Sequence, residues 1–483
     1  MSIETVDSSS FVLPQTDRLS PVVLSGTVRL IEGAVTALTG LAVFYLTLGP
    51  TEHLFPGYTL MIAVAVAIQA VVFGGARLYD NSALLRVTHY VGRIFLAWVT
   101  VFAALIVLAF LTKSGESFSH VWLAGWWLAG FLSILFFRAV LSLVVRRWMR
   151  VGKLERRVVI VGGGERAEKL IDALEASRET DIRICGVFDD RVGRAPSHVR
   201  GYPYLGSVAS LVDFARRQRV DMLIVSLPIT AENRILQMLK KLFVLPIDIR
   251  LAAHDNALCF VPRAYSYVGD VPTLEVSNRP IADWSHVLKI AEDKILSALF
   301  LLLGMPIFAV IAIAIKLDSK GPVFFKQKRF GFNNELIEIY KFRTLRHDMT
   351  DHTAERLVTA DDPRVTKVGK LLRRTSLDEL PQLITVLKGK MSIVGPRPHA
   401  TAAKAGELLY QDVVDGYYAR HRVKPGITGW AQISGWRGET DTEEKILRRT
   451  QFDLNYIDNW SIWFDLYIIL KTPLALLKGE NAY

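Results

Sequence analysis

The sequence predicts an integral membrane α bundle of four transmembrane helices, followed by an α/β Rossmann-like cytoplasmic module. A mixed α/β catalytic domain with a re-entrant membrane helix hairpin and interfacial helices completes the expected architecture. Three observations predict it. The first third holds four long apolar blocks, the middle alternates short β-rich and helical runs, and the basic, aromatic final part opens with a fifth apolar block that contains a proline. The 483 residues leave room for about three domains of ordinary size.

Composition agrees. Hydrophobic residues make up 51% and the mean hydropathy is +0.27, in blocks too long for core strands, so part of the chain belongs in a bilayer. A net charge of +11 suits nucleic acid, anionic lipid or phosphate-rich small substrates. Cys185 and Cys259 are the only cysteines and form no C-x-x-C, which supports neither a disulfide framework nor a zinc site.

Residues 1–28 read as a polar, Ser-rich flexible tail without the apolar run of a cleaved signal peptide. Within 29–150, apolar segments near Leu30 to Leu48, Tyr58 to Gly75, Ile94 to Leu111 and Val121 to Leu141 each approach the roughly 20 residues a spanning helix needs. The first connection, "GPTEHLFPG", has no basic residue. The second carries Arg77, Arg86 and Arg93, the third only Lys113, and the fourth segment runs into "RRWMRVGKLERR". Basic loops stay inside, so the N-terminus and everything after Arg146 are expected in the cytoplasm.

Residues 151–280 read as the Rossmann-like module. "RVVIV", "IRICGVF", "DMLIVSL" and "IDIRLA" alternate with helical stretches such as "ERAEKLIDALEAS", the pattern of a parallel sheet with covering helices. Gly162, Gly164 and Ala167 match G-x-G-x-x-A at a strand-to-helix turn, a candidate nucleotide-binding site, with Asp189 and Asp190 after the second strand placed for a ribose. Such turns also persist purely to pack helix on strand.

Residues 281–483 form the expected catalytic domain. Its apolar block, about 291–317, has Pro306 at the middle, and a straight crossing would carry Lys316, Lys320, Lys326, Lys328 and Arg329 to the outer side. A helix-interior proline costs about 3 kcal/mol and bends the axis. Gly304-Met305-Pro306 is therefore expected to be a hinge that keeps Lys289 and Lys320 on one side. The tail "WSIWFDLYIILKTPLALLKG" suits a helix at the membrane interface.

The stretch "RRTSLDELPQ" sets Asp378 beside Glu379. Ser376 to Glu379 fits the S-x-x-E capping box, which would place Asp378 at a helix start, ionised by the dipole and nearby cations. The cations are Lys341, Arg343, Arg373, Arg374, Arg397, Arg420, Arg422, Lys424 and Arg437, many of them in Gly- and Pro-rich turns. Guanidinium groups pair with phosphate oxygens, and an ionised carboxylate can attack phosphorus or bind Mg²⁺. Adjacent helical residues project about 100° apart, so two separate jobs are expected rather than one shared proton.

"KFRT", "RRTSLDELPQLITVLKGKMSIVGPRP" and "KPGITGWAQ" together resemble the bacterial sugar transferase family of polyprenyl-phosphate phosphoglycosyl transferases. The whole layout is similar to its large members, and "GETDTEEK" and the terminal "NAY" to the undecaprenyl-phosphate glucose phosphotransferase type. The resemblance implies that a UDP-sugar, UDP-glucose in the type it most resembles, gives its sugar-1-phosphate to undecaprenyl phosphate and releases UMP. That step initiates exopolysaccharide, O-antigen or capsule repeat units. Asp378 would be the nucleophile that forms an aspartyl-phosphosugar, with Glu379 its essential neighbour and Mg²⁺ at the pair. Lys341, Arg343, Arg373, Arg374, Arg397 and Lys424 would meet phosphate or nucleotide, and Pro306 would be the membrane hairpin hinge, where Met305 stands in place of the family's frequent serine. Implied surroundings are the bilayer of the bacterial inner (cytoplasmic) membrane, no nucleic acid, and a homo-oligomer such as a dimer. A membrane-bound nucleotide-sugar dehydratase or epimerase would need a second dinucleotide fold with Y-x-x-x-K, found only as Tyr467 to Lys471 in the apolar tail. A metal-dependent glycosyltransferase would need D-x-D, which the chain lacks, and a polysaccharide-assembly scaffold would need heptads that are not there.

Overall fold

The computed structural model describes residues 19–477, apart from 51–54, 115–116, 178–181, 191–197, 228–230, 254–265, 269–270, 348–361 and short stretches between 400 and 441. Cys259 and Arg437 lie outside the described residues. The chain divides into two compact units, Gln15–Glu155 and one that runs from Arg156 to Tyr483.

The first unit holds helices α1 (Pro21–Leu48), α2 (Phe55–Gly75), α3 (Val87–Leu111) and α4 (His120–Arg150), each long and apolar enough to cross a membrane. Helix α1 starts well before Leu30, so part of the expected tail is helical. Ser20 caps it by accepting from Val23 N–H at 3.3 Å, and Pro21 takes the first helical position, signals that hydropathy does not register. Trp98, Trp122 and Trp126 fill the core because glycines admit them: a Cβ on Gly130 would stand 2.7 Å from Trp98 and one on Gly40 2.9 Å from Trp126. The indole N–H groups of Trp122 and Trp126 donate to the carbonyls of Gly40 and Thr36, both at 3.0 Å. Glu32 and Arg138, both fully buried, form a two-pronged ion pair at 2.6 and 3.1 Å, and Arg138 also donates to the Leu78 carbonyl.

The second unit begins with an eight-stranded sheet: β1 (Arg156–Val161), β2 (Ile182–Phe188), β3 (His198–Val199), β4 (Tyr202–Gly206), β5 (Met222–Val225), β6 (Asp248–Ala252), β7 (Ser266–Val268) and β8 (Val271–Ser277), in the order β3-β4-β2-β1-β5-β6-β8-β7. The five central strands are parallel, as the apolar runs with interleaved helices predict, and the edge strands are antiparallel. At the Gly-rich turn Gly162 and Gly164 have φ of 101° and 87°, and Ala167 is fully buried where the helix meets the sheet. Asp189 Oδ2 accepts from Gly163 N–H at 2.8 Å and Asp190 Oδ1 from Val208 N–H at 2.9 Å, so both acids are engaged within the module.

Helix α8 (counting α5 to α7 as Glu165–Ala176, Val208–Arg217 and Glu232–Leu242) runs from Asp283 to Asp318 and remains helical through Pro306. Its two flanks dock on the same domain. On the first, Lys289 meets Asp465 at 2.5 Å, and Asp293 accepts from Ser392 Oγ and Ile393 N–H at 2.9 Å. On the second, Phe308 packs on Phe342 at 5.2 Å between ring centres, and Asp318 accepts from Val368 N–H at 2.9 Å. Leu302, Leu303 and Met305 between them are exposed. Lys289 is buried, because Asp465 of the C-terminal helix Ile462–Leu477, itself held by Tyr456 and Trp460, supplies its counter-charge.

Candidate active site

A two-stranded hairpin, β9 (Phe324–Phe330) and β10 (Leu336–Phe342), supplies the first site residue. Side chains of a strand alternate, and buried Ile337 and Ile339 put Lys341 on the inward face, where its ammonium reaches Glu379 Oε1 at 2.8 Å. Helix α9 (Lys367–Thr375), capped by Thr366 through Gly369 N–H at 3.0 Å, brings the chain to the acidic pair. Asp378 and Glu379 lie in the single 3-10 turn Leu377–Glu379, before α10 (Gln382–Leu387).

Arg397 completes the arrangement. Strand β11 (Ser392–Val394) pairs in parallel with β12 (Gly426–Thr428), and the turns that follow nearly touch: a Cβ on Gly395 would lie 2.6 Å from the Lys424 carbonyl oxygen. The glycines of "GPRP" and "KPGITG" thus permit a backbone crossing. From it Arg397 grips Glu379 with both arms, Nη1 to Oε2 at 3.0 Å and Nη2 to Oε1 at 2.6 Å.

Two carboxyls side by side meet opposite fates. Burial works against the Glu379 charge, but Arg397 and Lys341 outweigh it and hold its carboxyl well below the usual range. Burial pushes the Asp378 carboxyl up, and although Lys341 opposes it most strongly, with Arg373 and Arg397 helping, burial together with the charge of Glu379 prevails. Among the described residues no cation forms an ion pair with Asp378. The sequence expects cations to draw the Asp378 carboxyl down, whereas its pKa is raised, because burial outweighs them and Lys341 and Arg397 bond to Glu379. The two carboxyls shift in opposite directions.

The capping box is not formed. Ser376 ends α9 in the left-handed conformation, φ 58°, and its side chain makes no cap hydrogen bond to the turn that follows. Arg373 donates to Thr344 Oγ1 at 3.0 Å beside the acidic turn, and Arg374 is exposed. Arg343 is consumed elsewhere: buried, it donates to the carbonyls of Lys320 and Ser319 at 2.7 and 2.8 Å, tying down the end of α8. Lys424 sits with Lys294, near Asp293 and Lys289, instead of joining Glu379. Gly162, Gly164 and Ala167 belong to the separate sheet module, and Pro306 to α8.

Sequence reasoning missed what stands behind Arg397. Arg420, expected to face phosphate, is fully buried, and its Nη2 donates to the Arg397 carbonyl at 2.8 Å and to Asp453 at 2.5 Å. Its Nη1 lies 2.5 Å from His399 Nδ1, which also meets Tyr417 Oη at 2.6 Å. Burial and the Arg420 charge push His399 far down, so it is a neutral partner. The signal was present: Arg449 and Asp453 fall on the buried face of helix α11 (Glu443–Asp458) with Ile446, Thr450 and Ile457, unusual company for charges.

As a magnesium site, Asp378 and Glu379 fit an ion that takes one or two carboxylates and draws its other oxygens from phosphate and water, while the described residues contain no group of three metal-ligating acids, histidines or cysteines. Asp378 is the better donor, because both Glu379 oxygens already face cations.

A carboxylate pair braced by Lys341 and Arg397, on a domain that carries a long exposed apolar helix, defines an enzyme class that handles charged phosphates beside a membrane. The chain belongs to the bacterial sugar transferase family. The bacterial sugar transferase model matches residues 284–479, and a CoA-binding domain model matches 76–253. A UDP-glucose:undecaprenyl-phosphate glucose-1-phosphate transferase of Xanthomonas campestris pv. campestris is 33% identical over 94% of both chains. One of the same name from Escherichia coli K12 is 36% identical, over 75% of this chain and 76% of that one. An undecaprenyl-phosphate glucose phosphotransferase of Komagataeibacter xylinus is 38% identical over 74% of this chain, and the match spans 66% of that protein.

Proposed function

We propose that this protein transfers glucose-1-phosphate from UDP-glucose to undecaprenyl phosphate, releases UMP, and so begins a polysaccharide repeat unit. The observation that carries the reading is the split pair: Glu379 fixed between Lys341 and Arg397, and Asp378 beside it, which forms no ion pair among the described residues. Both substrates and chemistry accord with the names of the relatives.

The donor diphosphate is drawn to Lys341, Arg397 and Arg373. Asp378 and Glu379 would hold a Mg²⁺, which would supply further neutralisation of negative charge there. Asp378, more basic than an ordinary aspartate, is a stronger nucleophile once ionised. Its Oδ forms a bond to the sugar-bearing phosphorus as the bond to the UMP oxygen breaks, and the electron pair leaves with UMP. An oxygen of the lipid phosphate then attacks the same phosphorus and returns the Asp378 carboxylate. Glu379 keeps Lys341 and Arg397 in place throughout.

Donor labelled in its β-phosphate is the test: UMP release with label in a lipid diphosphate is expected. Label in free UDP would instead mean plain glycosyl transfer and overturn the reading.

The Lys and Arg distribution supports a cytoplasmic N-terminus and catalytic domain, and the length and apolarity of α1 to α4 support their crossing the inner membrane. The two flanks of α8 return to one domain, which supports a re-entrant course bent near Pro306 over a straight helix about 54 Å long. Because Lys289 is buried, sidedness is read at exposed neighbours. Val287→Cys and Lys320→Cys are expected to react with an impermeant reagent from the same side, and opposite-side labelling refutes the hairpin.

A further inference from the structure

The bundle holds a groove lined by residues of its first two helices and by Tyr79. Between α1 and α2 lies a cavity of about 590 Å³ walled by small and aliphatic residues, among them Gly33, Ala34, Ala37 and Ala63. Ala34 and Ala63 are exposed, so it opens outward along the helices. At one end Arg29 is exposed, and its guanidinium lies 4.8 Å from the Tyr79 ring centre and close to Gly74. Stacking on a ring leaves the in-plane N–H groups directed outward, the arrangement that meets phosphate.

Deeper in the groove sits a second polar feature. Gln69 is 1% exposed and lines the cavity, and its Oε1 accepts from Thr36 at 2.7 Å. Among the described residues its Nε2 has no hydrogen-bond partner. A buried amide donor in a hydrocarbon setting is costly without an acceptor. Gln69 precedes Gly74 by five residues, about 7 Å along a helix, so the donor lies that far below the level of the Arg29 head.

We propose that this groove binds one anionic glycerophospholipid of the bilayer, with its phosphate at Arg29, an ester carbonyl accepting from Gln69 Nε2, and one acyl chain along the small-residue wall. The depth of Gln69 selects the occupant. A glycerolipid carries carbonyl oxygens below its phosphate, whereas an isoprenyl phosphate has only hydrocarbon there. The groove is built wholly from the unit Gln15–Glu155, and its assignment does not rest on the proposed transfer reaction.

Full-length protein, stripped of lipid in detergent, is titrated with phosphatidylglycerol, phosphatidylcholine or undecaprenyl phosphate, and bound lipid is counted by native mass spectrometry. One phosphatidylglycerol per chain is expected at concentrations that leave phosphatidylcholine unbound. Arg29→Ala, at an exposed position, weakens it about tenfold, the worth of one charge-assisted hydrogen bond. Ala34→Phe, which fills the groove from its open side, abolishes it. Gln69→Leu, which removes the donor to the ester carbonyl, weakens retention of phosphatidylglycerol. Equal retention of phosphatidylcholine, preference for undecaprenyl phosphate, or wild-type binding in both Arg29→Ala and Ala34→Phe overturns the proposal.

Discussion

Asp378→Asn is expected to reduce UMP release by roughly 10³-fold or more, as removal of a covalent nucleophile does, with donor alone as well as with lipid acceptor. The amide has nearly the same shape, and no ion pair is lost among the described residues, so the variant folds normally and the loss reads as chemistry. Normal turnover with donor alone would refute the assignment. The pH profile tests the same carboxyl independently. Burial raises the Asp378 pKa and the nucleophile must be ionised, so the acid limb of kcat/KM falls above the ordinary aspartate value near 3.9. Lys341 lowers that pKa, and Lys341→Met therefore moves the limb to still higher pH. A limb that stays put or moves down would mean that another group sets it.

What could be read from the sequence followed the strength of its periodicities. Four of the five parallel strands, Arg156–Val161, Ile182–Phe188, Met222–Val225 and Asp248–Ala252, show as apolar runs because both sheet faces are covered, and the bundle helices as long apolar blocks. Their ends were harder, since α1 begins on a Ser-Pro cap inside a polar stretch. The acidic pair and its basic surroundings were legible as a set, but which cation serves which purpose was not. Arg343 and Arg397 look alike in sequence. One closes the end of α8 and the other holds Glu379, a distinction made by chain crossings far apart in number. Ser376 illustrates the limit of a four-residue motif: S-x-x-E also describes a serine that ends one helix before a 3-10 turn. The direction of the Asp378 shift depends on burial outweighing Lys341 and the other cations, and a linear pattern does not contain burial.

Arg420→Met should destabilise the protein by about 3–5 kcal/mol, the cost of leaving one member of a buried ion pair alone. Arg420 and Asp453 are 1% and 2% exposed and meet at 2.5 Å, so removing the cation strands a carboxylate in the core. Burial already raises the Asp453 pKa, against the opposing pull of Arg420 and Arg449, and without Arg420 it rises further. A carboxyl whose folded pKa is raised binds its proton more tightly in the native state. Its contribution is fully present below the unfolded value near 3.9 and is lost as pH rises through the folded value. The deficit of Arg420→Met is thus expected to be smallest in acid and to grow toward neutrality, measured by denaturation of the detergent-solubilised protein. Asp453→Leu added to Arg420→Met removes the stranded charge and should recover most of the loss. If the double variant stays as unstable as the single one, the pair is not the cause. Recovery of stability should not restore the reaction, because the hydrogen bond to the Arg397 carbonyl remains absent and the guanidinium facing Glu379 loses its anchor. A stable double variant with full kcat would show instead that the Gly395 to Arg397 turn holds its shape without Arg420.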